Sequence, residues 1–470
     1  MLPPLTPLDG RGLDTAWHSN LSWLCTATNP LLTGISSGLP LDPSVQASRT
    51  AIAPLYGVLP TRAYGFSEDE RLLYRPFVGA GIQIPPNASY ILQKWGLLPE
   101  VEQVAVRPRD FIVRSYRTGK VLCVQNAFPY TFERYGVPYL HIHRADYHRI
   151  LLNEAGRLGV DVRLDNTVIG IDFDFPAVHL LGKPDVHTDL IIGADGLRSV
   201  CRQALLGHAD HPQMTGDMAY RIIVRGEDVK RHSELADLAE RPGMTHWIGP
   251  NGHAVCYSLK SGEMLNLVLV CPDDLPDTVN LADADPDEMR TFFQDWDPRL
   301  KSLLGMVRTT QKWRLRNSGE MDSWSHPSGK FVLLGDACHA TLPYLAQGAA
   351  QAIEDGAALG TLFERIKNSS QLRDLLSIYE ATRKERTSIV VQSSSALRDI
   401  LHMRDGPGQR NRDIKLYQRS PFESYPIPWI DPKFQAYLFS YDAFAEASKA
   451  WDRYMNGEDT APKPKLHAHL

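Results

Sequence analysis

The residues best suited to chemistry lie in one stretch, from Gly335-Asp336-Ala337-Cys338-His339 through Pro343 to Gly348-Ala349. A short apolar run, Phe331 to Leu334, leads into Gly335-Asp336, and a helical pattern opens at Gly348 after the loop. An aspartate at a strand end can accept hydrogen bonds from a ribose or ribityl hydroxyl. The free amides at Gly348 and Ala349 form a positive helix terminus, which suits negative charge on a bound group. A plain strand-loop-helix in which Asp336 acts as a cap would look the same. His339 reads as a loop-packing residue ahead of a proton relay. A second acidic turn, Gly193-Ala194-Asp195-Gly196, closes the apolar run Leu190-Ile191-Ile192. His141 and His143 stand two apart, which on a strand puts both on one face as a metal pair would need. Only Asp146 and His148 stand at ligand spacing, so surface histidines and no metal are expected.

The elements that must position these groups follow from the apolar pattern. Short apolar runs closed by Gly and Asp read as buried strands of a parallel sheet with functional loops at their carboxyl ends. Between them the texture changes. Met218 to Val224, Thr245 to Ile248, His253 to Leu259 and Met264 to Cys271 read as strands, with Asn251-Gly252 and Lys260-Ser261-Gly262-Glu263 as turns. That is an antiparallel meander inserted into the parallel domain. An acidic loop, Pro272 to Asp287, closes it. Helical patterns run from Ala88 to Trp95, onward from Gly348, and from Leu372 to Met403. Residues 1 to about 75 hold neither period for long, and the tail from Asn456 is expected to be disordered.

The whole-chain numbers agree with an enzyme-sized protein. The chain has 470 residues, of which 43% are apolar and 22% charged, and a formal net charge of -5. Its mean hydropathy is -0.27. Nothing in that balance attracts nucleic acid or anionic lipid. Cys25, Cys123, Cys201, Cys256, Cys271 and Cys338 form no Cys-x-x-Cys pair, which points to reduced thiols and a cytoplasmic setting. The first residues do not read as a signal peptide, and no run approaches the ~20 apolar residues of a membrane helix.

Two long motifs carry a family resemblance. The block from Gly335 to Asp355 resembles the Gly-Asp motif of the FAD-dependent aromatic hydroxylases, the p-hydroxybenzoate and salicylate hydroxylase group. Asp189 to Arg202, centred on Asp195, is similar to that family's Asp-Gly motif. Val78-Gly79-Ala80-Gly81 through Asn87 resembles the segment that passes close to the flavin, where glycines allow close approach. Tyr139 to His148 resembles the segment whose arginine, here Arg144, reaches the cofactor. The resemblance runs from about Arg75 to Trp451, with Asp405 to Gln409 and Ser440-Tyr441-Asp442 fitting the salicylate-hydroxylase-like subgroup.

The resemblance implies an α/β fold: a parallel-sheet, Rossmann-like FAD-binding domain, an inserted antiparallel-sheet substrate domain, and C-terminal helices. The expected division is an irregular segment over 1–75, an FAD-binding domain over 76–207 and 325–400, a substrate-binding sheet over 208–324, and an extension over 401–470. It implies FAD held by Gly79, Ala80, Gly81, Arg144, Asp195, Asp336, Gly348 and Ala349, with NADH or NADPH as reductant and O2 as co-substrate. The implied reaction is hydroxylation of a phenol or aromatic acid through a flavin C4a-hydroperoxide, in secondary metabolism. Arg221 and Tyr257 match the pair that activates substrate in fungal phenol-hydroxylating members. An Arg stays charged and can hold a phenolate, and a Tyr can orient the same oxygen. A surface salt bridge for Arg221 and a core position for Tyr257 are the alternatives. A flavin epoxidase or halogenase of the same fold, or a non-enzymatic remnant, are the alternative functions.

One part of the family pattern is not found. The Gly-x-Gly-x-x-Gly turn that binds the ADP half of FAD is missing: Gly10-Arg11-Gly12 lacks the third glycine, and Gly34 and Gly38 are wrongly spaced. An artefact of gene modelling at the N-terminus is the expectation. A degenerate flavoprotein, or weak binding through the remaining motifs, are the other two readings.

Overall fold

The computed structural model describes residues 81–127, 129–163, 166–418 and 421–458, together with the backbone of Trp23–Thr26 and Thr33–Ile35. Leu190–Gly193 and Phe331–Leu333 are strands, both apolar and buried, and they pair in parallel with Ile191 opposite Phe331. Trp23–Thr26 lies parallel on the other side of Leu190–Gly193, and Thr33–Ile35 and Asp161–Arg163 complete a five-stranded sheet. Two strands of this sheet thus come from the segment expected to be irregular. Gly193 ends its strand where a Cβ would lie 2.7 Å from Cys201 Cβ and 2.8 Å from Leu333 Cδ2. Its missing side chain lets the Val200–Leu206 helix pack down, and Ser199 caps that helix by accepting from the Arg202 amide.

The meander is an eight-stranded sheet. In spatial order its strands are Leu281–Ala284, Thr310–Asn317, Gln213–Arg225, Met264–Pro272, Gly252–Leu259, Gly243–Gly249, Asp110–Ser115 and Val121–Asn126. The four strands expected between 218 and 271 are all present. Two details differ from expectation. The closing loop holds a short edge strand, Leu281–Ala284, anchored by the Gln311 amide donating to Asp283 at 2.8 Å. The sheet also extends beyond 208–324, because Asp110–Ser115 joins it parallel to Gly243–Gly249 and brings Val121–Asn126 with it. The sheet is therefore antiparallel except at that one junction. Phe111 and Val113 drive the join, both buried on the face that also carries Met244 and Tyr257.

Each face of this sheet buries its own apolar cluster. Tyr220, Trp247, Leu267 and Phe293 pack on one face; Phe111, Val255, Tyr257 and Trp429 pack on the other. The second face looks onto Leu372–Leu401, a 30-residue helix that also packs on Gly348–Phe363 and Ala443–Met455. Pro86–Lys94 starts at a proline, as a first-turn position permits, and packs on Gly348–Phe363. No helix among the described residues is long and apolar enough to cross a membrane. Most of the tail from Asn456, residues 459–470, lies outside the described residues.

Candidate active site

Tyr257 is where the two halves of the fold meet. It stands on Gly252–Leu259, is 4% exposed, and lies flat against Gly81 at the start of the Gly81–Ile84 strand. A Cβ at Gly81 would stand 2.5 Å from Tyr257 Cε2 and 2.6 Å from its hydroxyl oxygen, so only glycine fits. Gly81 thus makes a close approach to a tyrosine of the sheet. The Gly81 amide donates to Asn266 Oδ1 at 2.8 Å, and Asn266 lies directly opposite Tyr257 across the strand pair. The Gly79 and Ala80 positions lie outside the described residues.

Arg221, Arg144 and Asp336 share this neighbourhood. Arg221 sits on Gln213–Arg225 with its guanidinium over the Trp313 ring, 5.0 Å from the centroid. Burial pulls its pKa down, and the Tyr257 hydroxyl is the one group that acts in the opposite sense; no carboxylate does. Its Nε is buried without a hydrogen-bond partner. Among the described residues Arg221 makes no salt bridge, and it is buried where a surface position was the alternative. Arg144 opens the Arg144–Arg157 helix; burial and then the Arg221 charge bring its pKa down to about 10, against the pull of Tyr257 and Asp336. It remains a cation at neutral pH. Burial pushes Asp336 up to about 6, and His339 and Arg144 restrain the rise. Burial also pushes the Tyr257 hydroxyl up, so it stays a proton donor at working pH.

The helix start expected to meet an anionic edge is open. Gly348–Phe363 has no side-chain cap, and a Cβ at Gly348 would meet only Thr341 Cβ, at 3.9 Å. Gly348 and Ala349 are both half-exposed. Unsatisfied amides with room in front of them fit the electron-rich edge of a flavin ring. Asp336, which was expected at a strand end and which instead opens the short Asp336–His339 helix after the Gly335 turn, and the Arg144 cation complete a set that fits FAD at its ring end.

Asp195 stands apart from this set. It is 3% exposed, accepts from the Ser199 hydroxyl and from the Cys201 amide at 3.0 Å, and so fixes the turn into the Val200–Leu206 helix. Both carboxylate oxygens are used within the turn. His339 packs the loop: its Nε2 lies 2.6 Å from Asp355 Oδ2. His141 and His143 are buried, at 0% and 4% exposure, where surface positions were expected. No group of three metal-ligating side chains exists among the described residues.

Two sets of residues were not singled out from the sequence. One is Asn266, a polar residue at an inward position of the apolar strand Met264–Pro272; that break in the pattern was its signal. The other is a buried ionic network behind the open helix start. Glu354 receives two Arg386 nitrogens, Nε and Nη2, at 2.7 and 2.8 Å, Arg383 at 2.7 Å, and the Asn87 amide at 2.6 Å. Asp355 receives Arg383 at 2.7 Å and the Gly335 amide at 2.9 Å. This network ties the Gly335 turn, the Gly348–Phe363 helix and the Pro86–Lys94 helix to one pair of guanidiniums. Its sequence signal was Glu354-Asp355 in the middle of an otherwise apolar helix.

Around Tyr257 several buried polar atoms have no protein partner: both His141 ring nitrogens, His246 Nδ1, Asn266 Nδ2, Arg221 Nε and Trp313 Nε1. Each such atom costs about 1–3 kcal/mol unless something bonds to it. A surface cleft of about 320 Å³ at Tyr116, Arg117 and Asp405 contains none of these residues, and its Arg117–Asp405 pair is already closed at 3.0 Å.

Comparison with known proteins shows the family. The family described as FAD binding domain matches residues 133–394. The chain is 43% identical to the FAD-dependent monooxygenase OpS4 of Beauveria bassiana (strain ARSEF 2860), over 79% of this chain and 88% of that protein. It is 30% identical to a 3-hydroxybenzoate 6-hydroxylase of Polaromonas naphthalenivorans (strain CJ2), over 69% of this chain and 79% of the other. Among solved structures, a salicylate hydroxylase substrate complex superposes with a TM-score of 0.68 at 23% identity, covering 90% of this chain and 96% of that one.

Proposed function

We propose that this chain, which belongs to the FAD-dependent monooxygenases of the FAD binding domain family, hydroxylates a phenol or aromatic acid that it holds as the anion at Arg221. The observation that carries this reading is the Arg221 guanidinium, enclosed beside Tyr257 and Trp313 with no carboxylate among the described residues to neutralise it. A buried cation without a counter-ion gains most from an anionic ligand. The relatives point the same way, since one is named for hydroxylating 3-hydroxybenzoate.

FAD, when bound and reduced by NAD(P)H, supplies electrophilic oxygen derived from O2. The protein's own groups prepare the other partner. Arg221 favours the ionised substrate oxygen, because opposite charge at close range stabilises the deprotonated form. A phenolate pushes electron density into its ring and so becomes the better nucleophile. Tyr257, kept protonated by burial, donates its hydroxyl hydrogen to the same oxygen and fixes the ring's orientation. Arg144, Asp336 and the amides at Gly348 and Ala349 would hold the cofactor's ring end, and the Glu354/Asp355 network keeps those parts in register.

Replacing Arg221 by Ala tests the assignment. Substrate-dependent hydroxylation should fall about 10- to 100-fold, the loss expected for one charged hydrogen bond, while flavin content stays as in the unsubstituted protein. Equal loss of flavin and activity would remove Arg221 from the substrate side.

A further inference from the structure

The strand register lays Arg221, Val268, Val255 and His246 in one row across four neighbouring strands: Arg221 opposite Val268, Val268 opposite Val255, Val255 opposite His246. Residues directly opposite share a face, so this row is a strip with a cation at one end, two valines in the middle and an imidazole at the other. Three strand spacings make it roughly 14 Å long, about what a substituted aromatic ring spans once two side chains lean in. Tyr257 stands in the adjacent row, between Asn266 and Met244. His141 closes over it, ring centroids 4.6 Å apart, and Trp429 flanks His246 at 5.3 Å.

Both imidazoles are poorly served where they stand. Neither His141 nitrogen has a partner, and neither does His246 Nδ1, although the two residues are 0% and 8% exposed. Burial brings His141 down to about 3, with the nearby His246 adding to the effect, and His246 down to about 4. Each is therefore a neutral ring offering one donor and one acceptor rather than a charge. Such a pair suits an uncharged hydroxyl or carbonyl oxygen, and Arg221 suits an anion.

We propose that His141 and His246 form a second polar subsite, which recognises a hydroxyl or carbonyl oxygen on the substrate at the end of the ring away from the anionic group held by Arg221. The inference rests on the aromatic-substrate reading above and sharpens it: the substrate carries two separated oxygen functions, with an apolar ring lying over Val268 and Val255 between them.

The test is equilibrium binding to the purified, flavin-loaded protein, followed by the change in flavin absorbance. The ligands are benzoates with one hydroxyl and the same benzoates with a second hydroxyl at each ring position in turn. One isomer of the second series should bind about tenfold more tightly than its parent. His246→Leu should abolish that preference by weakening the favoured isomer about tenfold more than the parent, and His246→Gln, which keeps a donor and an acceptor, should restore part of it. A preference that survives in His246→Leu, or a loss equal for both ligands, would overturn the subsite. Failure of every benzoate to bind the unsubstituted protein would instead overturn the aromatic-substrate reading, and the subsite with it.

Discussion

A guanidinium over an indole and near a tyrosine, with no carboxylate among the described residues to offset its desolvation, is what the proposed reading needs to favour an anionic substrate; a lysine there would be a point charge without the planar fork. Arg221→Lys should therefore bind substrate but lose orientation, seen as a lower kcat with a smaller change in KM. At Gly81 the added methyl of Gly81→Ala would meet the Tyr257 ring at 2.5 Å. Overpacking of this kind costs about 1–3 kcal/mol, so the unfolding midpoint should drop and hydroxylation should slow as Tyr257 is displaced. Asp336 gives a pH signature. Burial lifts its carboxyl to about 6, so from about pH 4 to 6 the folded chain keeps a proton that the unfolded chain has released. Its contribution to stability thus declines as pH rises through that window. Urea unfolding of flavin-stripped Asp336→Asn should lack that decline; an unchanged pH dependence would refute it. At this scale the sequence revealed residues in the family-like segments and the matched substrate pair. Arg221, Tyr257, Arg144 and Asp336 do come together, whereas Asp195 is occupied within its own turn. Asn266 escaped notice because its partner, the Gly81 amide, is 185 residues away.

At the scale of elements, the open start of Gly348–Phe363 is held in place from behind. Arg383 is fully buried and bridges Glu354 and Asp355, so Arg383→Met would leave buried carboxylate charge short of a partner. Breaking such a pair from one side costs about 3–5 kcal/mol. The expected result is a matching drop in unfolding free energy, with faster flavin release from the folded fraction; a change within about 0.5 kcal/mol would mean the network does not brace the helix. Helices and meander strands were legible because their apolar periods are long: the expected strand from Met264 to Cys271 is found as Met264–Pro272, and the helix expected from Leu372 to Met403 runs Leu372–Leu401. Leu281–Ala284 and the pair Asp110–Ser115 and Val121–Asn126 were not. Short strands with at most three buried residues carry little pattern of their own, and Asp110–Ser115 joins the sheet only through Gly243–Gly249, far along the chain.

The described residues hold a five-stranded sheet, parallel at Trp23–Thr26, Leu190–Gly193 and Phe331–Leu333 but antiparallel at Thr33–Ile35, and a broad eight-stranded sheet that meets the Gly81–Ile84 strand where Gly81, Asn266 and Tyr257 interlock. The Gly- and Asp-closed runs on either side of the meander were readable as buried strands, and both are found as such. That strands ahead of the meander extend its sheet was not readable, since register between distant segments leaves no local trace. The central claim concerns the reaction, and labelled oxygen tests it most directly. The FAD-loaded protein, given NAD(P)H, 18O2 and the benzoate that binds most tightly, should return a ring-hydroxylated product carrying one 18O atom, with reductant consumed only when that ligand is present. A product whose added oxygen comes from water, a product bearing an epoxide or halogen instead of a ring hydroxyl, or no ligand-dependent oxygen consumption by the flavin-loaded protein would contradict it.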